Sequence, residues 1–397
     1  MSEENIFGRQ LEILSGYPFR SSCFNSNGKG IPIIRIRDLL KQSSETYFSG
    51  DYDTSYLVSK GDILVGMDGD FNAIKWSGPQ SLLNQRICKL STKDPLLLDQ
   101  DYLYHCLQPQ LNSIYKRTAQ TTVKHLSVSD LYKIEFQLPP LVEQRKIAEI
   151  LSGIDKLSEY IKLKIMKLEK LKISLINDLI QNGIKNYIFK DSEFGKIPKS
   201  WDIINFKDIF SKNTYGPRFN ANNYAQDGNV KTIRGTDILE NFKINYEQVP
   251  RAKLDTEIIS KHSLNQGDVI MITTAECGSS AVFDQQNIPY ICSAYAIRLE
   301  PNKKVKSNYC TYFLQSEIAK RQIQKFIRKG TVSNLPGSDV MKIRIPLPTI
   351  EEQNQIISSL IAIDELIKDS RNKLKVNILL KNSLSQDLLS GNKRVKV

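Results

Sequence analysis

The chain has 397 residues, 40 % hydrophobic and 25 % charged, which is the composition of soluble globular domains and length enough for two or three of them. No apolar run approaches the ~18 residues of a membrane span, and the opening MSEENIFGRQ lacks a signal-peptide pattern, so a cytoplasmic protein is expected. Six scattered cysteines without a CxxC and three histidines speak for free thiols and against a zinc site, while a net charge of +12 points towards nucleic acid.

In chain order, strand patterns fall at Ile31–Arg37, Asp62–Gly66 and Arg86–Leu90. A helix near Leu98–Tyr115 and a strand at Tyr132–Leu138 follow. Pro139 and Pro140 then punctuate the chain before a long helix. In it Ile147, Ile150, Ile154, Leu157, Ile161, Leu168, Leu171 and Leu175 recur at three-to-four spacing, broken only at Lys164, with Lys and Glu on the outer face, as a coiled-coil seam requires. From Glu143 to Gln181 this predicts a rod of roughly 58 Å at about 1.5 Å per residue. A polar linker, 183–200, leads to strands at Val230–Arg234, Val269–Thr273, Ala296–Leu299 and Met341–Leu347, with a helix near Asn308–Phe326. A second long helix carries Ile356, Ile363, Leu366, Leu380 and Leu384.

The chain is written twice. LPPLVEQRKIAEIL (from Leu138) and LPTIEEQNQIISSL (from Leu347) begin a stretch of 43 positions, at an offset of 209, with about sixteen identities. Upstream, IIRIRDL answers TIRGTDI, pairing Arg35 with Arg234 and Asp38 with Asp237; KGDILVG answers QGDVIMI; TTVKHLSVSDL answers GTVSNLPGSDV. The expected fold is α+β: two similar domains, 1–138 and 201–347, separated by two long antiparallel coiled-coil helices, 139–182 and 348–391, in a pseudo-two-fold repeat.

No complete active site appears. NIPY (Asn287–Tyr290) lacks the first proline of an amine-methylating [ND]PP[YF] loop, and DSEFGK (Asp191–Lys196) lies in the linker. GKG (Gly28–Gly30) lacks P-loop spacing. Loops suited to DNA are more evident, since Arg and Asn read base edges while Lys and Ser hold phosphates. In the first domain these are SGYPFRSSCF with Tyr17, Phe19, Arg20 and Ser22, and the RIRDL string, whose period of two places Arg35 and Arg37 on one strand face. Asp68, Asn72, Lys75, Gln85, Arg86, Lys124 and His125 complete that set. In the second they are Tyr215, Arg218, Asn220, Arg234, Thr236, Thr274, Ser293, Tyr295, Ser333 and Asn334. A stand-alone DNA enzyme and a coiled-coil scaffold without DNA are the competing classes; missing cofactor motifs discriminate the first, a gel shift the second.

These strings, over nearly the whole chain, resemble the specificity subunit of type I restriction–modification systems. IPKSWDIINFKDIF (Ile197–Phe210) looks like the usual opening of such a target recognition domain, and the first domain lacks it. The resemblance implies that each domain reads one half of a split site in double-stranded DNA. It also implies that the helices bind two methyltransferase subunits, joined by two restriction and motor subunits. Glu143, Gln144, Ile147, Leu151, Glu352, Gln353, Ile356 and Leu360 are the expected contacts to those partners. No cofactor is expected on this chain, and S-adenosylmethionine, ATP and Mg2+ would belong to the partners.

Overall fold

A computed structural model describes residues 8–118, 123–135, 137–185, 188–239 and 241–396. The chain divides into two compact units, 1–162 with 372–397, and 163–371. The division therefore runs through both long helices.

In the first unit the main strands are β1 (Leu11–Ser15), β2 (Ile31–Ile34), β3 (Ile63–Gly66), β4 (Ala73–Lys75), β5 (Ser81–Leu83) and β6 (Ile87–Thr92). Helices α1 (Gln100–Arg117) and α2 (Leu141–Asn182) follow. Strands β1, β6, β3 and β4 form an antiparallel sheet in that order, and β2 pairs in parallel with β5 in another. The second unit repeats this plan with β7 (Phe210–Tyr215), β8 (Val230–Ile233), β9 (Val269–Ile272), β10 (Ser280–Val282), β11 (Tyr290–Cys292) and β12 (Ala296–Pro301). Its sheet runs β7, β12, β9, β10, and β8 pairs in parallel with β11. The central strands β3 and β9 are apolar throughout because both faces are covered.

Three expectations are corrected. The strand predicted at Ile31–Arg37 stops at Ile34, where the Arg35 N–H donates to Asp38 Oδ2 at 3.0 Å and opens a 3-10 turn, Ile36–Asp38. Arg35 and Arg37 thus do not share a strand face. The single helix expected at Asn308–Phe326 is two, α3 (Ser307–Gln315) and α4 (Glu317–Phe326), because Ser316 is extended and its Oγ caps α4 through the Ala319 N–H. Tyr132 ends a short helix, Val128–Tyr132, and the described residues on to Leu138 form no strand (Phe136 lies outside them). The counterpart Arg344–Leu347 is a strand because Asp202–Asn205, just after IPKSW, pairs with it. The polar stretch read as a linker holds a hairpin, Phe189–Ser192 with Gly195–Pro198.

Helix α5 (Ile350–Leu389) completes the second repeat. In the first unit Asn377 Nδ2 donates to Ile154 O at 3.0 Å and Ser158 Oγ at 2.7 Å, while Leu384 and Leu388 pack in the core with Ile147 and Leu151. In the second, Arg371 meets Glu169 at 2.6 Å, and Ile356 and Leu360 join Ile176 and Ile180. The helix segments are therefore antiparallel within each unit. Leu157, Leu171, Leu366 and Leu380, expected in the seam, are about half exposed, and Lys172, Ser370 and Asn377 are buried. Among the described residues no helix is long and apolar enough to cross a membrane.

The repeated Glu-Gln pair anchors each long helix to its own unit. Gln144 Nε2 donates to Leu97 O and Pro139 O at 2.9 and 2.8 Å, and its Oε1 accepts from Asp99 N at 2.9 Å. Gln353 makes the same bonds to Lys304 O, Pro348 O and Lys306 N at 3.0, 3.0 and 2.8 Å. Glu143 accepts from Arg394 Nη2 at 2.6 Å, and Glu352 from the indole of Trp201 at 2.8 Å and the Ile184 N–H at 3.1 Å. Ile147, Leu151, Ile356 and Leu360 are no more than 1 % exposed. The eight residues expected at the partner surface thus have side chains that bond or pack within their own unit.

Candidate nucleic-acid interface

At one end of each antiparallel sheet, three loops are tied by the same backbone bonds. In the first unit the Met67 N–H donates to Arg86 O at 2.9 Å, Leu126 N to Met67 O at 2.7 Å, and Gly69 N to Lys124 O at 3.1 Å. In the second, Thr273 N donates to Tyr295 O at 2.9 Å, Leu335 N to Thr273 O at 2.7 Å, and Ala275 N to Ser333 O at 2.9 Å. Bridges Asp68–His125 and Thr274–Asn334 complete the two frames. A fourth loop enters beside each. Gly16 and Gly216 pass so close to the next strand end that a Cβ would stand 2.0 Å from Asn84 O and 1.9 Å from Cys292 O. Only glycine fits there.

The side chains on these matched frames differ. In the first unit Asp68 accepts from or pairs with two groups, His125 Nδ1 at 2.6 Å and Arg86 Nε at 3.6 Å. Arg86 has φ +71°, an uncommon conformation for a side chain-bearing residue. The second unit carries Thr274, Tyr295 and Asn334 at the same three places, with no charge among them.

The remaining expected residues fall into three groups. Tyr17, Arg20, Ser22, Arg37, Gln85, Arg218, Asn220, Thr236, Tyr295 and Asn334 are exposed, and Asn72, Thr274 and Ser333 half-buried. Tyr215 is exposed too, with its hydroxyl accepting from Gly337 N at 2.6 Å. A second group is held by the fold. Lys75 pairs with Asp101 at 2.5 Å, and Lys124 Nζ donates to Tyr115 O at 2.6 Å above that ring. Arg35 bonds Thr46 Oγ1, and Arg234 grips Asp237 with two bonds of 3.1 and 3.0 Å. That carboxylate pushes the Arg234 guanidinium above its usual range. Phe19 and Ser293 form a third group, because both are buried; Phe19 lies within an aromatic cluster with Tyr17 and Phe48 at 5.0 and 4.8 Å.

Arg328 is a cation the sequence reading passed over. It lies just before the repeated GTVSN string, yet its backbone pairs with Asn334 at 2.8 and 3.1 Å, and its side chain is 72 % exposed. The signal was its place next to the string's start, in an RKG turn.

Comparison with known proteins came to the same architecture. The model of the type I restriction modification DNA specificity domain matches residues 11–170 and 198–377. The chain is 29 % identical over 399 residues to the type I restriction enzyme EcoBI specificity subunit of Escherichia coli, covering 95 % of this chain and 82 % of that one. It is 27 % identical to the MjaVIII specificity subunit of Methanocaldococcus jannaschii, covering 86 % and 81 %. Among solved structures, the S subunit from M. genitalium superposes with a TM-score of 0.59 at 16 % identity, covering 96 % of this chain and 94 % of that one. A chain from a study of type I complex assembly does so at 0.56 and 16 %, covering 99 % and 95 %.

Proposed function

The chain belongs to the type I restriction–modification DNA specificity family, with two recognition domains, and from that premise we propose that it reads an asymmetric, bipartite site in double-stranded DNA. Each unit takes one half-site through the loops of its frame. The observation that carries this is the pairing of one backbone frame with two unlike side-chain sets, Asp68, Arg86 and His125 against Thr274, Tyr295 and Asn334. Different donors and acceptors select different bases. The net charge of +12 supplies attraction to phosphates.

The helices receive two methyltransferase subunits, and two restriction and motor subunits join them. Because the Glu-Gln anchors are committed to the fold, the contacts fall on exposed apolar residues further along. These are Leu157, Tyr160, Val376 and Leu379 in the first unit, and Leu163, Met166 and Leu171 in the second. The chain itself is non-catalytic and cytoplasmic, with S-adenosylmethionine, ATP and Mg2+ held by its partners. Methylation-sensitive sequencing of DNA from cells carrying this chain with its methyltransferase tests the reading. The expected motif has two different halves around an unread gap; a palindromic motif would refute it.

A further inference from the structure

We infer that Arg86 reads a guanine in the first unit's half-site, with Asp68 as its positioning residue, and that the second unit demands no guanine at the corresponding position. This rests on the DNA-reading function proposed above and adds the identity of one base to it.

Arg86 is fixed at its backbone, and Asp68 lies beside its guanidinium. Its carbonyl is fixed by the Met67 N–H at 2.9 Å, and its Nε lies 3.6 Å from Asp68 Oδ2, while the side chain remains 61 % exposed. A guanidinium tethered through Nε still offers its two terminal nitrogens as a planar fork. That fork matches the O6 and N7 acceptors of guanine in the major groove.

Asp68 does not itself suit a base-reading role. Its side chain is 21 % exposed, and its other oxygen is taken by His125 Nδ1 at 2.6 Å. To accept from cytosine N4 it would have to give up that bond. Its chemistry here is to aim Arg86 and His125.

On the second frame Thr274 takes the place of Asp68, Asn334 that of His125, and Tyr295, 63 % exposed, that of Arg86. A phenol has one hydroxyl and no fork. The guanine requirement at this position should therefore be confined to the first half of the site.

The test is methylation-sensitive sequencing in cells that carry the full chain and its methyltransferase subunits. The wild type is compared with Arg86→Ala, Asp68→Asn and the transplant Thr274→Asp, Tyr295→Arg, Asn334→His. Wild type should require a guanine in one half. Arg86→Ala should lose that preference on the order of tenfold or more, and Asp68→Asn should weaken it, with every other position retained. Retention of the second half-site shows that these variants fold. The transplant should acquire a guanine in the other half. Unchanged motifs in both single variants, or equal loss at all positions, overturn the inference. If Arg86→Ala abolishes all modification, the transplant decides, and its failure to acquire a guanine is the overturning result. A wild-type chain that directs methylation to no sequence overturns the DNA-reading function itself.

Discussion

Lys172 Nζ and Asp364 Oδ1 meet at 2.7 Å between the two helix segments of the second unit, with side chains only 10 % and 13 % exposed. The Tyr312 hydroxyl donates to the other carboxylate oxygen at 2.8 Å. In the first unit the same places hold Lys381 and Asp155, 2.5 Å apart, and His105, whose Nδ1 is 3.9 Å from Asp155. Removing one partner of a buried pair leaves an uncompensated charge, which costs about 3–5 kcal/mol. Lys172→Met should lower stability by that order in chemical denaturation. Lys381→Met should cost less, because that pair is about one-third exposed. Equal losses would show that burial is not what sets the cost.

His105 makes the first unit sensitive to acid. Burial lowers its pKa from 6.5 to about 4, against the opposing pull of Asp155. The unfolded chain therefore binds the proton more readily, and stability present above pH 6.5 is lost as pH falls towards 4. A shift of this size corresponds to a few kcal/mol, on the order of 1.4 per unit. His105→Tyr, which installs the second unit's residue, should flatten the loss of thermal midpoint between those pH values. An unchanged slope in the variant would assign the acid sensitivity elsewhere.

Replacing Gln353 with Leu removes three hydrogen bonds at once and strands Lys304 O, Pro348 O and Lys306 N. Buried groups left unpaired cost roughly 1–3 kcal/mol each where water cannot reach them. The expected loss is about 2–5 kcal/mol in urea denaturation, with a similar loss for Gln144→Leu. A loss below about 0.5 kcal/mol would place these residues with ordinary surface positions.

Pure chain incubated with labelled S-adenosylmethionine and DNA should transfer no methyl group, and addition of the methyltransferase subunit should restore transfer. The NIPY string favours this outcome: its Tyr290 begins β11 and is 3 % exposed, so the ring cannot cover a target base. Stoichiometric transfer by the chain alone would contradict it.

The repeat was legible because long helices write their packing at three-to-four spacing, and because Glu143-Gln144 and Glu352-Gln353 recur at one offset. What those residues do was not legible. Gln144 bonds to Leu97, 47 residues back, and no local pattern encodes so distant a carbonyl. The Arg35 turn misled for the opposite reason: the alternation of RIR fits a strand, but Asp38 three residues on captures the Arg35 N–H and bends the chain. Buried positions among the candidate contacts, Phe19 and Ser293, look polar or loop-like in sequence because their neighbours are. The matched frames became visible only when three separate loops met.

The break of both units in mid-helix sets an order of events during synthesis. Residues 163–371 are continuous, so the second unit has all its chain as soon as Arg371 leaves the ribosome. The first unit, although most of it is translated earlier, lacks Leu384, Leu388 and the Arg394 partner of Glu143 until those residues emerge. Until then Ile147 and Leu151 have an open side. Of the two units, the one begun first is completed second, and a chain ending before residue 384 leaves the Ile147 and Leu151 face without Leu384 and Leu388.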